Sequence, residues 1–131
     1  MNPVSELRKA VTADLKALSP TIAVYDRVQL PTAKPSFPYA SWGPSQSISD
    51  DADCIDGAEL SLQIDVWSRE PGYLEVEALS DRIKRRLHRK DYGLPVNALA
   101  SLAVETIRYM RDADGVTSHA VITLAASIEE H

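Results

Sequence analysis

The 131 residues are 44% hydrophobic and 25% charged, the balance of one ordinary globular domain spanning residues 1–131. A formal net charge of −5 argues against a dedicated grip on DNA or RNA, and no apolar run approaches the roughly 18 residues that a membrane helix needs. The single cysteine, Cys54, excludes an intramolecular disulfide and fits a reducing compartment, and the N-terminus lacks the basic-then-apolar order of a signal peptide, so synthesis in a cytoplasm is expected.

Asn2 suits a helix cap and Pro3 a first turn, where its missing N–H costs nothing. Val4, Leu7, Val11, Leu15 and Leu18 then make one apolar stripe, with Glu6, Arg8, Lys9, Asp14 and Lys16 largely off it. This predicts a surface helix over 3–18, laid on a sheet and ended by Ser19-Pro20. A short strand follows at Ile22–Tyr25. Prolines at 31, 35 and 38 make 26–38 an extended connection or edge, and Tyr39–Trp42 resumes strand character.

Gly43–Gly57 is long for a link between neighbouring strands and carries Asp50, Asp51, Asp53 and Asp56. Part of it around Ile48 can extend a strand, and the rest is an exposed acidic loop. Leu60, Leu62, Ile64 and Val66 alternate with Ser61, Gln63 and Asp65, the period of a half-buried strand over 59–68. After Trp67 the period changes: Val76, Leu79, Ile83 and Leu87 give a helix from about Pro71 to His88. Glu75 and Glu77 near its start, and Arg82 to Lys90 near its end, complement the helix dipole. Residues 101–112 and 116–128 form a hairpin turned by Asp112-Ala113-Asp114-Gly115. The expected fold is therefore α+β, in the order α-β-β-β-α-β-β: an antiparallel sheet of four to five strands with both helices on one face.

The candidate chemistries are sparse. Asp51, Asp53 and Asp56 miss the ligand spacing of an EF-hand, so a solvated acidic loop is the expectation. His88, His119 and His131 stand in no metal spacing with Cys54, and the glycines form no phosphate loop. No cofactor, metal or catalytic residue is expected. His119 with Asp112 reads as an exposed histidine across a turn. The basic run Arg82–Lys90 reads as a solvated face, with DNA or a partner subunit as the alternative. Trp67 falls on the strand face opposite Leu62, Ile64 and Val66, so it is either turned into the core by a bulge or anchors an interface; the first, or partly covered packing, is favoured. Trp42 is left unplaced.

Three fragments together resemble one family. They are Ile64-Asp65-Val66-Trp67-Ser68-Arg69 with Pro71-Gly72 and the following helix, Arg108 to His119 with its RDADG turn, and the N-terminal helix with Val24-Tyr25-Asp26 and Phe37-Pro38-Tyr39. In this order, over about residues 5–128, the chain resembles the phage tail-completion proteins, also called tail terminators or head–tail joining proteins of long-tailed phages and prophages. The resemblance implies a non-enzymatic virion structural protein, made in a host bacterial cytoplasm. It implies a ring, often hexameric, that ends the tail tube, meets the tube protein and the head connector, and lets DNA pass without specific binding. Asp50, Asp51, Asp53 and Asp56 are the candidates for a partner or lumen surface, since a channel that DNA slides through should not hold phosphate. The alternatives are another neck or minor tail subunit, and a small α+β enzyme or ligand-binding domain.

Overall fold

The cap predicted at Asn2 is made: its side-chain oxygen accepts from the Val4 and Ser5 amides at 2.9 and 3.2 Å, and Pro3 begins the helix. The computed structural model describes residues 2–18, 22–25, 36–51 and 56–131. Its elements are α1 (Pro3–Leu15, running into a 3-10 turn at Lys16–Leu18), β1 (Ala23–Tyr25), β2 (Tyr39–Ser49), β3 (Gly57–Ser68), α2 (Leu74–Leu87), β4 (Ala98–Arg111) and β5 (Ser118–Glu129). The strands form one sheet in the order β1-β2-β3-β5-β4.

The expected α+β fold and element order hold, with one refinement. Three pairings are antiparallel, but β1 runs parallel to β2, with Ala23 opposite Tyr39 and Tyr25 opposite Ser41. The sheet is therefore mixed, because β1 and β2 are joined by the proline-bearing segment and not by a hairpin turn.

The alternation in β3 decides the layers. Leu60, Leu62, Ile64 and Val66 are buried together with Ala120, Ile122, Leu124, Ala126 and Ile128 of β5. Against them pack Leu7, Val11 and Leu15 of α1 and Val76, Leu79, Ile83 and Leu87 of α2, so both helices share one face of the sheet. Trp42 seats α1 on β2: its indole N–H donates to Thr12 Oγ1 at 2.8 Å, and the Arg8 guanidinium lies 5.6 Å from its ring.

Two boundaries differ from the sequence reading. β2 continues to Ser49, pairing Ser45–Ser49 with Leu62–Ala58 after an irregularity between Trp42 and Ser45, so the long connection shrinks to 50–56. The polar run Ser45-Gln46-Ser47 has no apolar alternation to announce a strand. Helix α2 starts at Leu74, because Gly72 takes a left-handed turn (φ 75°) and its carbonyl accepts from Ser118 Oγ at 2.9 Å. It ends at His88, as the sequence predicts: Arg89 adopts φ 61°, its amide donates to the Leu102 carbonyl, and the Val104 amide donates to His88 Nδ1.

Glu6, read as a surface charge, is buried; its carboxylate accepts from the Val96 and Asn97 amides, both at 2.9 Å, and so pins the start of β4 to α1. Ile64 is 1% exposed at the middle of the sheet. Replacing it with aspartate (Ile64→Asp) places an unpaired charge there, and we expect loss of the cooperative urea transition and of native circular dichroism.

Candidate assembly surface

Among the described residues no helix covers the other face of the sheet, which carries a cross-strand row. Tyr39 of β2, Trp67 of β3 and His119 of β5 stand in register. Trp67 stacks on His119 with centroids 3.7 Å apart and on Tyr39 at 6.1 Å. Tyr25 and Phe37 meet Tyr39 edge-on, and the Arg69 guanidinium lies 4.2 Å from the Phe37 ring. Trp67 thus stays on the face its sequence position dictates; no bulge turns it inward, and its ring is partly covered by its neighbours.

His119 is not the exposed residue the sequence suggested. Its side chain is 13% exposed, and Nε2 donates to Asp65 Oδ1 at 2.8 Å, while Asp112 lies 4.0 Å from Nδ1. Gln63 Nε2 donates to the same Asp65 oxygen at 3.0 Å. Gly43 makes room for this cluster: a β-carbon there would stand 2.6 Å from Asp65 Oδ2 and 2.7 Å from Gln63 Nε2. The cluster buries a carboxylate by giving it two donors, and it ties β3 to β5.

The two ends of the sheet differ. At one end the β2–β3 hairpin presents exposed Asp50, Asp51 and Asp56. The Asp50 amide donates to the Gly57 carbonyl at 2.8 Å, and Asp51 Oδ1 accepts from the Gly57 amide at 3.1 Å, so part of the acidic tip is ordered by its own strand ends. Asp53 lies outside the described residues. At the other end the β4–β5 turn is closed by Asp114, whose carboxylate accepts from the Thr117 amide, the Thr117 hydroxyl and the Val116 amide at 2.7–2.9 Å. Those bonds, the Thr117 amide's first, hold the Asp114 carboxyl down to about 2. Beside this turn stand exposed Leu74 (82%), Val116 (59%) and Tyr73, with the Arg111 guanidinium 5.3 Å from the Tyr73 ring. One end is therefore acidic, and the other exposes apolar side chains.

The basic run at the end of α2 is split. Arg86 Nε donates to Asp14 Oδ1 at 2.7 Å and the Tyr92 hydroxyl to Asp14 Oδ2 at 2.5 Å, locking the two helices together. Arg85 pairs with Asp81 one turn away, on an exposed surface. Burial alone would raise the Asp14 carboxyl, but the hydrogen bonds from Tyr92 and Arg86 and the charges of Arg86 and Lys90 outweigh it and hold the group below its ordinary range. Burial and the Asp14 bond push the Tyr92 phenol up.

Sequence comparison decides the family. The profile of "Tail completion protein gp17" matches residues 6–129. The chain belongs to this tail-completion family. It is a structural protein of a phage-type tail, and its place is in the virion, as the three sequence fragments implied. Among solved structures, a chain in the virion of a native gene transfer agent particle shares the fold, with a TM-score of 0.85, 22% identity and coverage of 96% of both chains. No curated protein matches the chain in sequence.

Elsewhere on this tail-completion protein, a groove of about 490 Å³ runs along α1, lined by Ser5, Arg8, Lys9, Thr12, Ala13 and Lys16. Among the described residues no group of three His, Cys, Asp or Glu is placed to hold a metal, and no helix is long and apolar enough to cross a membrane. Glu6, Gly43 and Asp65 were missed as key positions. Only Asp65 gave a signal, as an acidic residue inside a strand whose neighbours are apolar.

Two expectations follow. Gly43→Ala should cost about 1–2 kcal/mol by pushing Asp65 off its donors, and should cost far less when Asp65→Ala is already present, a coupling that urea titration of the four chains measures. Asp14→Asn should lower stability at neutral pH. Because the folded carboxyl titrates below the ordinary aspartate value, the wild-type advantage is complete above about pH 4 and shrinks as the pH falls through the depressed folded value, which unfolding curves across acidic pH will show.

Proposed function

We propose that this chain assembles as a ring, six-membered, on the head-proximal end of the tail tube, stops the tube's growth and joins the tail to the head connector. The family match over residues 6–129 carries the reading. Its partners are copies of itself, the tail-tube protein and the connector or neck protein, and DNA passes through the hole without specific binding. The protein works by docking and transforms no small molecule.

The surface described above suits this role. A ring clamped between a tube and a connector needs two unlike end faces, and the acidic tip and the turn end with its exposed Leu74 and Val116 are unlike. A ring also needs two different lateral patches that meet heterologously. Asp50, Asp51 and Asp56 at the acidic tip, with Asp53 of the same sequence run, make a partner or lumen surface, because negative charge lets phosphate pass without sticking.

The test is direct. Tail tubes polymerised without the protein should be overlong and ragged; adding the purified chain should give tubes of arrested length, each ended by a ring with a central hole in electron micrographs. Tubes that keep growing with the protein bound elsewhere along the particle would make it another neck or minor tail subunit. Turnover of a small molecule by the purified chain would overturn the reading altogether.

A further inference from the structure

The two outer edges of the sheet are treated differently. Among the described residues, β1 covers the outer edge of β2 only at Tyr39–Ser41. Beyond it runs Ser45-Gln46-Ser47-Ile48-Ser49, exposed, regular in its pairing with β3, and without a charge, proline or glycine. Sheet proteins usually guard such an edge with charges, prolines, bulges or a covering segment. Ile48 is 55% exposed on it.

The outer edge of β4 is guarded in its first half. Its register shifts twice, between Leu99 and Ser101 and between Val104 and Thr106, and its 102–104 backbone is taken by Arg89 and His88. From Thr106 to Arg111 the register is unbroken, and no such backbone contact is seen among the described residues. Each subunit thus offers one clean edge segment at each side of its sheet.

Resting on the ring reading above, we infer that residues 47–51 of β2 in one copy pair antiparallel with residues 107–111 of β4 in the next, joining the sheets. The occupant of the β2 edge is a second copy of this chain. Strand direction permits it: within one sheet β2 and β4 run oppositely, so copies that share one orientation meet antiparallel. Side-chain chemistry sets the register. On the face away from the helices β2 presents Gln46 and Ile48, with Asp50 continuing the alternation, and β4 presents Arg108 and Met110. Setting Ile48 opposite Met110 puts Asp50 opposite Arg108 and Gln46 opposite Asp112. Apolar then meets apolar, acid meets base, and an amide donor meets a carboxylate.

The contact is heterologous, because one edge differs from the other, and so it closes into a ring or runs on as a filament, never into a two-fold dimer. Ile48 sits level with Ser127 in its own sheet and Met110 with His119, eight positions away along β5. Successive sheets therefore stagger by roughly 27 Å along the strands at the ordinary strand rise, and ring closure requires strands steeply inclined to the axis.

The test uses the full chain carrying Cys54→Ser, with Ile48→Cys and Met110→Cys together. Cross-strand neighbours lie about 4.5–5.5 Å apart, within disulfide reach. Oxidation should give a ladder of covalent multimers ending at the ring, while each single-cysteine chain stays monomeric on a denaturing gel. Asp50→Lys and Arg108→Glu should each weaken ring assembly about fivefold per contact, and together restore it. Rings that form normally while the double-cysteine chain fails to link would overturn this interface and leave the ring reading standing. Links formed by Ile48→Cys alone would mean a two-fold contact and would also overturn it. A chain that stays monomeric even on tail-tube ends would sink both.

Discussion

The alternation along β3 constrains everything else. This strand is paired on both sides, to β2 and to β5, so its side chains have only two faces to choose between. A slip of one residue would carry Leu60, Leu62, Ile64 and Val66 to the face away from the helices and drive Asp65 beneath them. The apolar burial under α1 and α2 forbids that slip. The bond between Asp65 and His119 forbids it again from the other side, because only one register keeps that carboxylate within reach of the β5 imidazole.

A sheet with one face spent on helices leaves its remaining face, its edges and its ends for contact with other chains. In this protein those surfaces are unlike one another. The tip is acidic, the turn end exposes apolar side chains, one edge is plain and the other half closed by the residues that follow α2. Such polarity is what a heterologous assembly uses, since each copy must offer different surfaces to its neighbours on either side, above and below.

Most of the architecture was legible from periodicity. The change from a two-residue to a four-residue repeat at Trp67, the cap at Asn2 and the RDADG turn located the principal elements, and three fragments located the family. What stayed hidden has a common cause. Strand pairing at Ser45–Ser49 is made by backbone and not by apolar side chains, so no pattern announces it. Glu6 and Asp14 look like surface charges on a helical wheel because their partners, the Val96 and Asn97 amides and Arg86 with Tyr92, come from sequence far away. His119 was matched with Asp112 by proximity along the chain, whereas the sheet brings it Asp65. Gly43 carries a steric requirement set by two side chains of another strand.

The bonds from Glu6 to the Val96 and Asn97 amides span 90 and 91 residues. While the chain is still emerging from the ribosome, α1 can cap its own N-terminus but has nothing to satisfy that carboxylate until Val96 and Asn97 have been made. A vectorially growing chain must therefore hold its leading helix in reserve, its acid group in water, until the final hairpin arrives to receive it.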